Sequence, residues 1–114
     1  MLTEAQVQSE ILLGIGRDFP KTVRVWRNNS GAVKVGNRFI RFGVSGQGDI
    51  SGILNGGRRL EIEVKSQKGR QSKDQKNFEV MIMKFGGLYL LARDYKFVKK
   101  SIEIALRFDK HNVR

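Results

Sequence analysis

Residues 48–75 read GDISGILNGGRRLEIEVKSQKGRQSKDQ. Two short runs rich in apolar residues, ISGIL and RRLEIEVKS, flank Asn55-Gly56-Gly57, a strong hairpin signal. Within LEIEVK the alternation has the strand period of two. Leu60, Ile62 and Val64 therefore point to one face and Glu61, Glu63 and Lys65 to the other, with alternate residues about 7 Å apart. Asp49 lies six residues before Asn55, and Glu63 six residues after Gly57. The two carboxylates are thus expected level across the hairpin, about 5 Å apart.

Two carboxylates that close repel each other unless a cation lies between them. An all-oxygen donor set suits a hard ion, Mg²⁺ or Mn²⁺, and the backbone carbonyl of Val64 is a candidate further donor. A divalent ion so held binds a phosphate oxygen and acidifies water. Lys65, two residues beyond Glu63 on the same face, is placed to orient or help deprotonate that water and to offset charge in a pentavalent transition state. Its charge is also expected to keep the carboxylates ionised near neutral pH. Taken alone, Glu-x-Lys fits an exposed strand with a Glu–Lys ladder. The added Gly48-Asp49, hairpin and basic loop favour phosphodiester hydrolysis. Glu61 shares the face of Glu63 and reads as an outlying or exposed group.

Around this hairpin the chain reads as α/β. TEAQVQSEILLGIGRDF predicts a first helix, with Thr3 and Gln6 at capping-box spacing and Val7, Ile11, Leu12 and Ile15 on one side. Pro20, the only proline, stops that pattern. TVRVWR and RFIRFGV predict strands, and the turn-rich NNSGAVKVGN between them holds a possible short one. Ser72 and Gln75 form a second capping-box pair. The helix they start has Phe78, Met81, Ile82 and Phe85 as its buried stripe, and Gly86 and Gly87 end it. LYLLAR is a short apolar strand. YKFVKKSIEIALRFD fits a last helix, but KSIEIALRF also alternates as a strand does. The expected architecture is one domain over residues 1–114, with a mixed central β-sheet flanked by helices.

The 114 residues include 22 basic and 11 acidic ones, a net charge of +11. The basic residues are spread along the chain, which favours a charged face on a folded domain with a polyanionic partner, nucleic acid before an anionic membrane. There is no cysteine, so disulfides, thiolate metal sites and cysteine nucleophiles are excluded. That fits a cytoplasmic location. No apolar run approaches the roughly 20 residues needed to cross a bilayer, and the first residues lack the pattern of a signal peptide. GQGDISG is not a dinucleotide-binding fingerprint, because no helix opens where the third glycine belongs. GRQSK lacks the Gly-Lys-Ser/Thr of a phosphate-binding loop, and no small-molecule organic cofactor is expected. Ser45, Ser51 and Ser66 have no histidine base, since the single histidine, His111, lies near the C-terminus, where a solvated role is expected.

The pieces RNNSGAVKVG, FGVSGQGDISGIL, LEIEVKSQKGRQSKDQ and GGLYLLAR, in that order, resemble the PD-(D/E)XK nuclease superfamily, and within it the virus-type replication-repair (VRR-NUC) branch, whose short stand-alone members are typical of phages. The likeness covers roughly Thr3 to Arg93. Gly48-Asp49 stands where the superfamily has Pro-Asp. The resemblance implies a restriction-endonuclease-like fold, Asp49 and Glu63 as metal ligands, and Lys65 as the catalytic lysine. By the same resemblance, Gln75 matches a glutamine often found beside that site, and Glu10 an acidic residue that several members bring near the metal. It also implies a Mg²⁺- or Mn²⁺-dependent endodeoxyribonuclease resembling Holliday-junction resolvases. Cutting two strands symmetrically takes two sites, hence a homodimer acting on branched DNA.

Lys68, Arg70 and Lys73 follow the acidic strand directly, next to the positive end of a helix, and read as phosphate-positioning groups. Gly69 among them permits close backbone approach. Arg24, Arg27, Lys34, Arg38 and Arg41 are expected to extend that track on neighbouring strands. Such contacts set register without reading sequence, and no separate base-reading module is present. Trp26 is suited to stacking on a base, although a strand tryptophan is more often partly core. Two alternatives stand beside this: a non-catalytic nucleic-acid-binding module, for which the charge suffices, and a sequence-specific restriction-type endonuclease.

Overall fold

The computed structural model describes residues 2–28 and 31–108, with the backbone alone at residues 31–33 and 41–42. The elements run α1 (Glu4–Asp18), β1 (Val23–Arg27), β2 (Gly31–Val35), β3 (Arg38–Phe42), β4 (Ile50–Leu54), β5 (Arg59–Val64), α2 (Lys73–Lys84), β6 (Leu88–Ala92) and α3 (Tyr95–Phe108). A four-stranded sheet has the order β1-β4-β5-β6. The β1–β4 and β4–β5 pairs are antiparallel and the β5–β6 pair is parallel. The fold is therefore mixed α/β, with a mixed central sheet flanked by helices.

Both expected capping boxes form. Thr3 caps α1 through the Gln6 N–H, and the Gln6 side chain returns to the Thr3 N–H. Ser72 and Gln75 do the same for α2. Each box satisfies two N–H groups that a helix start leaves without partners. On one face of the sheet, Val7, Ile11 and Ile15 of α1 and Val98, Ile102 and Ala105 of α3 pack with Val23, Ile50, Leu54, Leu60, Ile62, Val64, Leu90 and Ala92, while Leu12 packs at the margin. On the other face α2 covers the β6 side, where Phe78 and Ile82 meet Tyr89.

Gly14 of α1 is a close-approach glycine: a Cβ there would lie 2.5 Å from the Tyr95 ring. The Tyr95 hydroxyl donates to Asp18 at 2.8 Å, so ring and hydroxyl together dock α3 on α1. Arg17 and Tyr95 hold the Asp18 carboxyl at about 2, below its ordinary range.

Three expectations change. Met81 and Phe85 are exposed, and only Phe78 and Ile82 of the expected stripe are buried. α2 rests mainly on one strand, β6, so its contact stripe is narrower than the apolar stripe in its sequence. β2 and β3 pair with each other in a separate two-stranded sheet, so they do not lie beside β1 or β4 among the described residues. Glu61 is fully buried, with Arg59 donating to its carboxylate and the Gly48 backbone close beside it. His111 lies outside the described residues. No helix among the described residues is long and apolar enough to cross a membrane.

The ambiguous final segment is α3. A strand would turn Ile102 and Ile104 to one side; the helix buries Ile102 completely and leaves Ile104 46% exposed. Ile102→Ala is accordingly expected to cost about 2–5 kcal/mol, and Ile104→Ala less than about 0.5 kcal/mol. Urea unfolding of both variants checks this, and equal losses would contradict the helical packing.

Candidate metal and phosphate site

The β4–β5 register sets the site. Ile50 pairs with Ile62, Ser51 with Glu61 and Gly52 with Leu60. One step beyond Ile50 and Ile62, Asp49 comes level with Glu63. The peptide N–H of Val64 donates to Asp49 Oδ2 at 2.7 Å, tying the carboxylate to the end of β5. This contact uses the Val64 N–H and is separate from the candidate donor role of the Val64 carbonyl.

Gly48 permits this approach. A Cβ at Gly48 would lie 2.8 Å from the Ile62 carbonyl oxygen and 3.3 Å from Glu61 Oε1. The first contact is with backbone and cannot easily move. Asn28 clamps the same segment from the edge strand: its side-chain amide donates to the Gly48 carbonyl at 2.7 Å and to Ser51 Oγ at 2.6 Å, and its N–H donates to the Asp49 carbonyl at 2.9 Å. Asn28 stands within RNNSGAVKVG, one of the pieces that carry the resemblance, but no role of its own is read from the sequence. The signal available was a side-chain amide directly after strand β1. The loop before Asp49 also reaches α2, where Ser45 Oγ donates to Asp74 Oδ2 at 2.9 Å.

Two groups converge on Oε2 of Glu63. Gln75 Nε2 donates to Glu63 Oε2 at 2.9 Å while Gln75 Oε1 completes the capping box, so one side chain serves both purposes. Lys65 Nζ lies 3.6 Å from the same oxygen. Glu63 Oε1 is buried and has no hydrogen-bond partner. Lys65 itself is held at both ends of its peptide neighbourhood. Its N–H donates to the Ala92 carbonyl. The following Ser66 donates its N–H to Glu4 and accepts from Arg93 at its carbonyl. Glu4 and Arg93 are further positioning residues that strand and helix patterns do not disclose.

Burial, then the Asp49 charge and a shared hydrogen bond, raise the Glu63 carboxyl from 4.5 to about 8, against the opposing pull of Lys65. The expectation that Lys65 keeps the carboxylates ionised near neutral pH is corrected for Glu63: desolvation there outweighs one lysine partner. A divalent cation would reverse that balance. The orphaned Glu63 Oε1, two adjacent carboxylates and an all-oxygen donor set fit a hard ion that keeps several waters, as Mg²⁺ does with one or two carboxylates. Among the described residues no group of three or more His, Cys, Asp or Glu side chains gathers. Glu10 is exposed on α1 and is not brought to the pair in such a group.

Lys68, Arg70 and Lys73 are exposed on and just after the loop that follows Lys65. Arg24 and Arg27 are exposed on β1, whereas Lys34 and Arg38 are exposed on the separate β2–β3 hairpin. The side chain of Arg41 lies outside the described residues. Trp26, for which a partly core position was expected, is 46% exposed.

Comparison with protein-family models, with curated proteins and with solved structures finds no match for this chain.

The raised Glu63 pKa gives a signed pH dependence in the absence of divalent metal. Between about 4.5 and about 8 the folded chain holds a proton at Glu63 that the unfolded chain has lost. Stability must then fall as pH rises through that window and level off above it. Chemical unfolding in a chelator, compared with Glu63→Gln at each pH, isolates the contribution. A difference that grew in the opposite direction would contradict the burial of this carboxyl.

Proposed function

We propose that the chain is a Mg²⁺- or Mn²⁺-dependent endodeoxyribonuclease of the PD-(D/E)XK superfamily, VRR-NUC branch and stand-alone phage type, acting as a homodimer on branched DNA. The observation that supports this reading most is the convergence of Asp49, Glu63, Lys65 and Gln75 at one end of the β4–β5 hairpin. A buried Glu63 beside a half-buried Asp49 is costly without a cation, and the surrounding net charge of +11 suits a phosphodiester substrate.

In this reading Asp49 and Glu63 hold the ion. When bound, it supplies Lewis-acid charge to a phosphate oxygen and acidifies water. Gln75 orients Glu63 through Oε2, and Val64 orients Asp49 through its N–H. Lys65 Nζ, close to Glu63, holds or moves a proton at the attacking side or offsets phosphorane charge. Lys68, Arg70 and Lys73 meet neighbouring phosphates beside the N-terminal end of α2. Such contacts favour DNA shape over sequence. A dimer supplies the second site for a paired cut, and the cytoplasm of a bacterial host is the matching location.

Cleavage of a four-way junction, compared with its linear arms in Mg²⁺ or Mn²⁺, tests the reading. The parent chain is expected to cut the junction, Lys65→Ala to lose about 10²–10⁴-fold in rate, and Gln75→Ala to lose about 10–100-fold in activity or metal affinity. Glu63→Gln should leave no measurable cutting. A parent chain that cuts neither substrate, or a Glu63→Gln variant that cuts equally well, sinks it. Heat on Mn²⁺ titration separates a carboxylate site from a bare basic binding module, and a fixed cleavage position on linear duplex would mark a sequence-specific enzyme instead.

A further inference from the structure

The sheet face that carries Asp49 and Glu63 continues away from α2 across β5, β4 and β1. Pairing places Trp26, Ser51 and Glu61 in one row, and Arg24, Ile53 and Arg59 in the next. Each row is about 7 Å from the one before, so the Trp26 row adjoins that of Asp49 and Glu63. α2 packs at the β6 end of this face. Trp26, Ile53, Arg24 and Arg59 remain exposed.

This patch is organised from below. Glu61 is 0% exposed, and its Oε2 accepts from Arg59 Nε at 2.7 Å, while its Oε1 is buried without a hydrogen-bond partner. The Arg59 side chain is about half exposed, with its guanidinium carbon 5.9 Å from the centre of the Trp26 ring. A buried carboxylate adds little net stability through one exposed partner. Its effect here is to hold a guanidinium beside an exposed indole, a combination that meets a base and its phosphate together.

We propose that Trp26 with Arg59 and Arg24 forms a platform for an unpaired nucleotide of single-stranded DNA. The base stacks on the indole and the flanking phosphates pair with the two guanidinium groups. Glu61 is the positioning residue beneath it. Insofar as the platform's nucleotide adjoins a scissile phosphate, the inference rests on the nuclease reading, and it narrows the substrate to DNA with unpaired bases at the branch. Charge complementarity favours a DNA strand over a second copy of this basic chain as the occupant.

Trp26 is the only tryptophan, so the emission of the intact chain reports on this platform alone. In a chelator, a short oligo(dT) should quench that emission saturably. A blunt duplex of equal length should leave it unchanged at concentrations where an electrophoretic shift shows the duplex bound. Trp26→Ala should weaken oligo(dT) binding by about 5- to 100-fold and duplex binding by less than about twofold, and Trp26→Phe should retain most of the oligo(dT) affinity. The platform is overturned by equal quenching with both DNAs, by no quenching with oligo(dT), or by an emission change that follows protein concentration alone. Quenching in the chelator, with no DNA cleaved once Mg²⁺ or Mn²⁺ is supplied, would remove the nuclease reading and leave the platform. Cleavage without quenching would remove only the platform.

Discussion

The hydrogen-bond register between β4 and β5 carries the candidate site. Side chains alternate faces along a strand, so a slip of one residue would send Glu61 and Glu63 into the α1–α3 core and bring Leu60, Ile62 and Val64 out of it. The three apolar residues are completely buried, which makes that slip costly. The same pairing that fills the core therefore brings Asp49 level with Glu63. Gly48 and Asn28 finish the arrangement, one by leaving room beside the Ile62 carbonyl and the other by clamping the Gly48–Asp49 backbone.

The carboxylate pair sits in an unresolved electrostatic balance. Burial and Asp49 push the Glu63 carboxyl upward, Lys65 pulls it downward, and Gln75 contributes a neutral donor to the oxygen that Lys65 also approaches. Without a cation the balance favours a proton on Glu63. In the proposed function a divalent ion would compete with that proton, which would couple metal affinity to pH. A buried acid that is costly to ionise alone and has one unpartnered oxygen suits a binding role better than a structural one.

The two faces of the central sheet have different work. The α1–α3 face is apolar and continuous, and it buries Leu60, Ile62 and Val64 of β5. The other face is shared. α2 covers its β6 side and delivers Gln75, while the β1–β4 side is left with Trp26, Arg24 and Arg59 exposed. Glu61, buried beneath Arg59, links the two regions: it is one strand step pair from Glu63 and one row from the arginines.

The residues alone determined what depends on local chemistry. Thr3–Gln6 and Ser72–Gln75 specify helix starts, Asn55-Gly56-Gly57 specifies the hairpin, and period-two alternation puts Glu63 and Lys65 on one face, because caps, turns and strand pleat act over a few residues. Counting outward from the turn also brought Asp49 level with Glu63. Only the tertiary structure decided which surfaces become covered. It buried Glu61, exposed Met81 and Phe85, separated the β2–β3 hairpin from the sheet, made residues 95–108 a helix, and set Asn28, Glu4 and Arg93 against the ends of the site. Burial is a property of what packs on a face, and the partners come from distant parts of the chain. The same distance explains Glu63: its desolvation arises from elements outside its own strand, so no local pattern reveals that its proton is held to about 8.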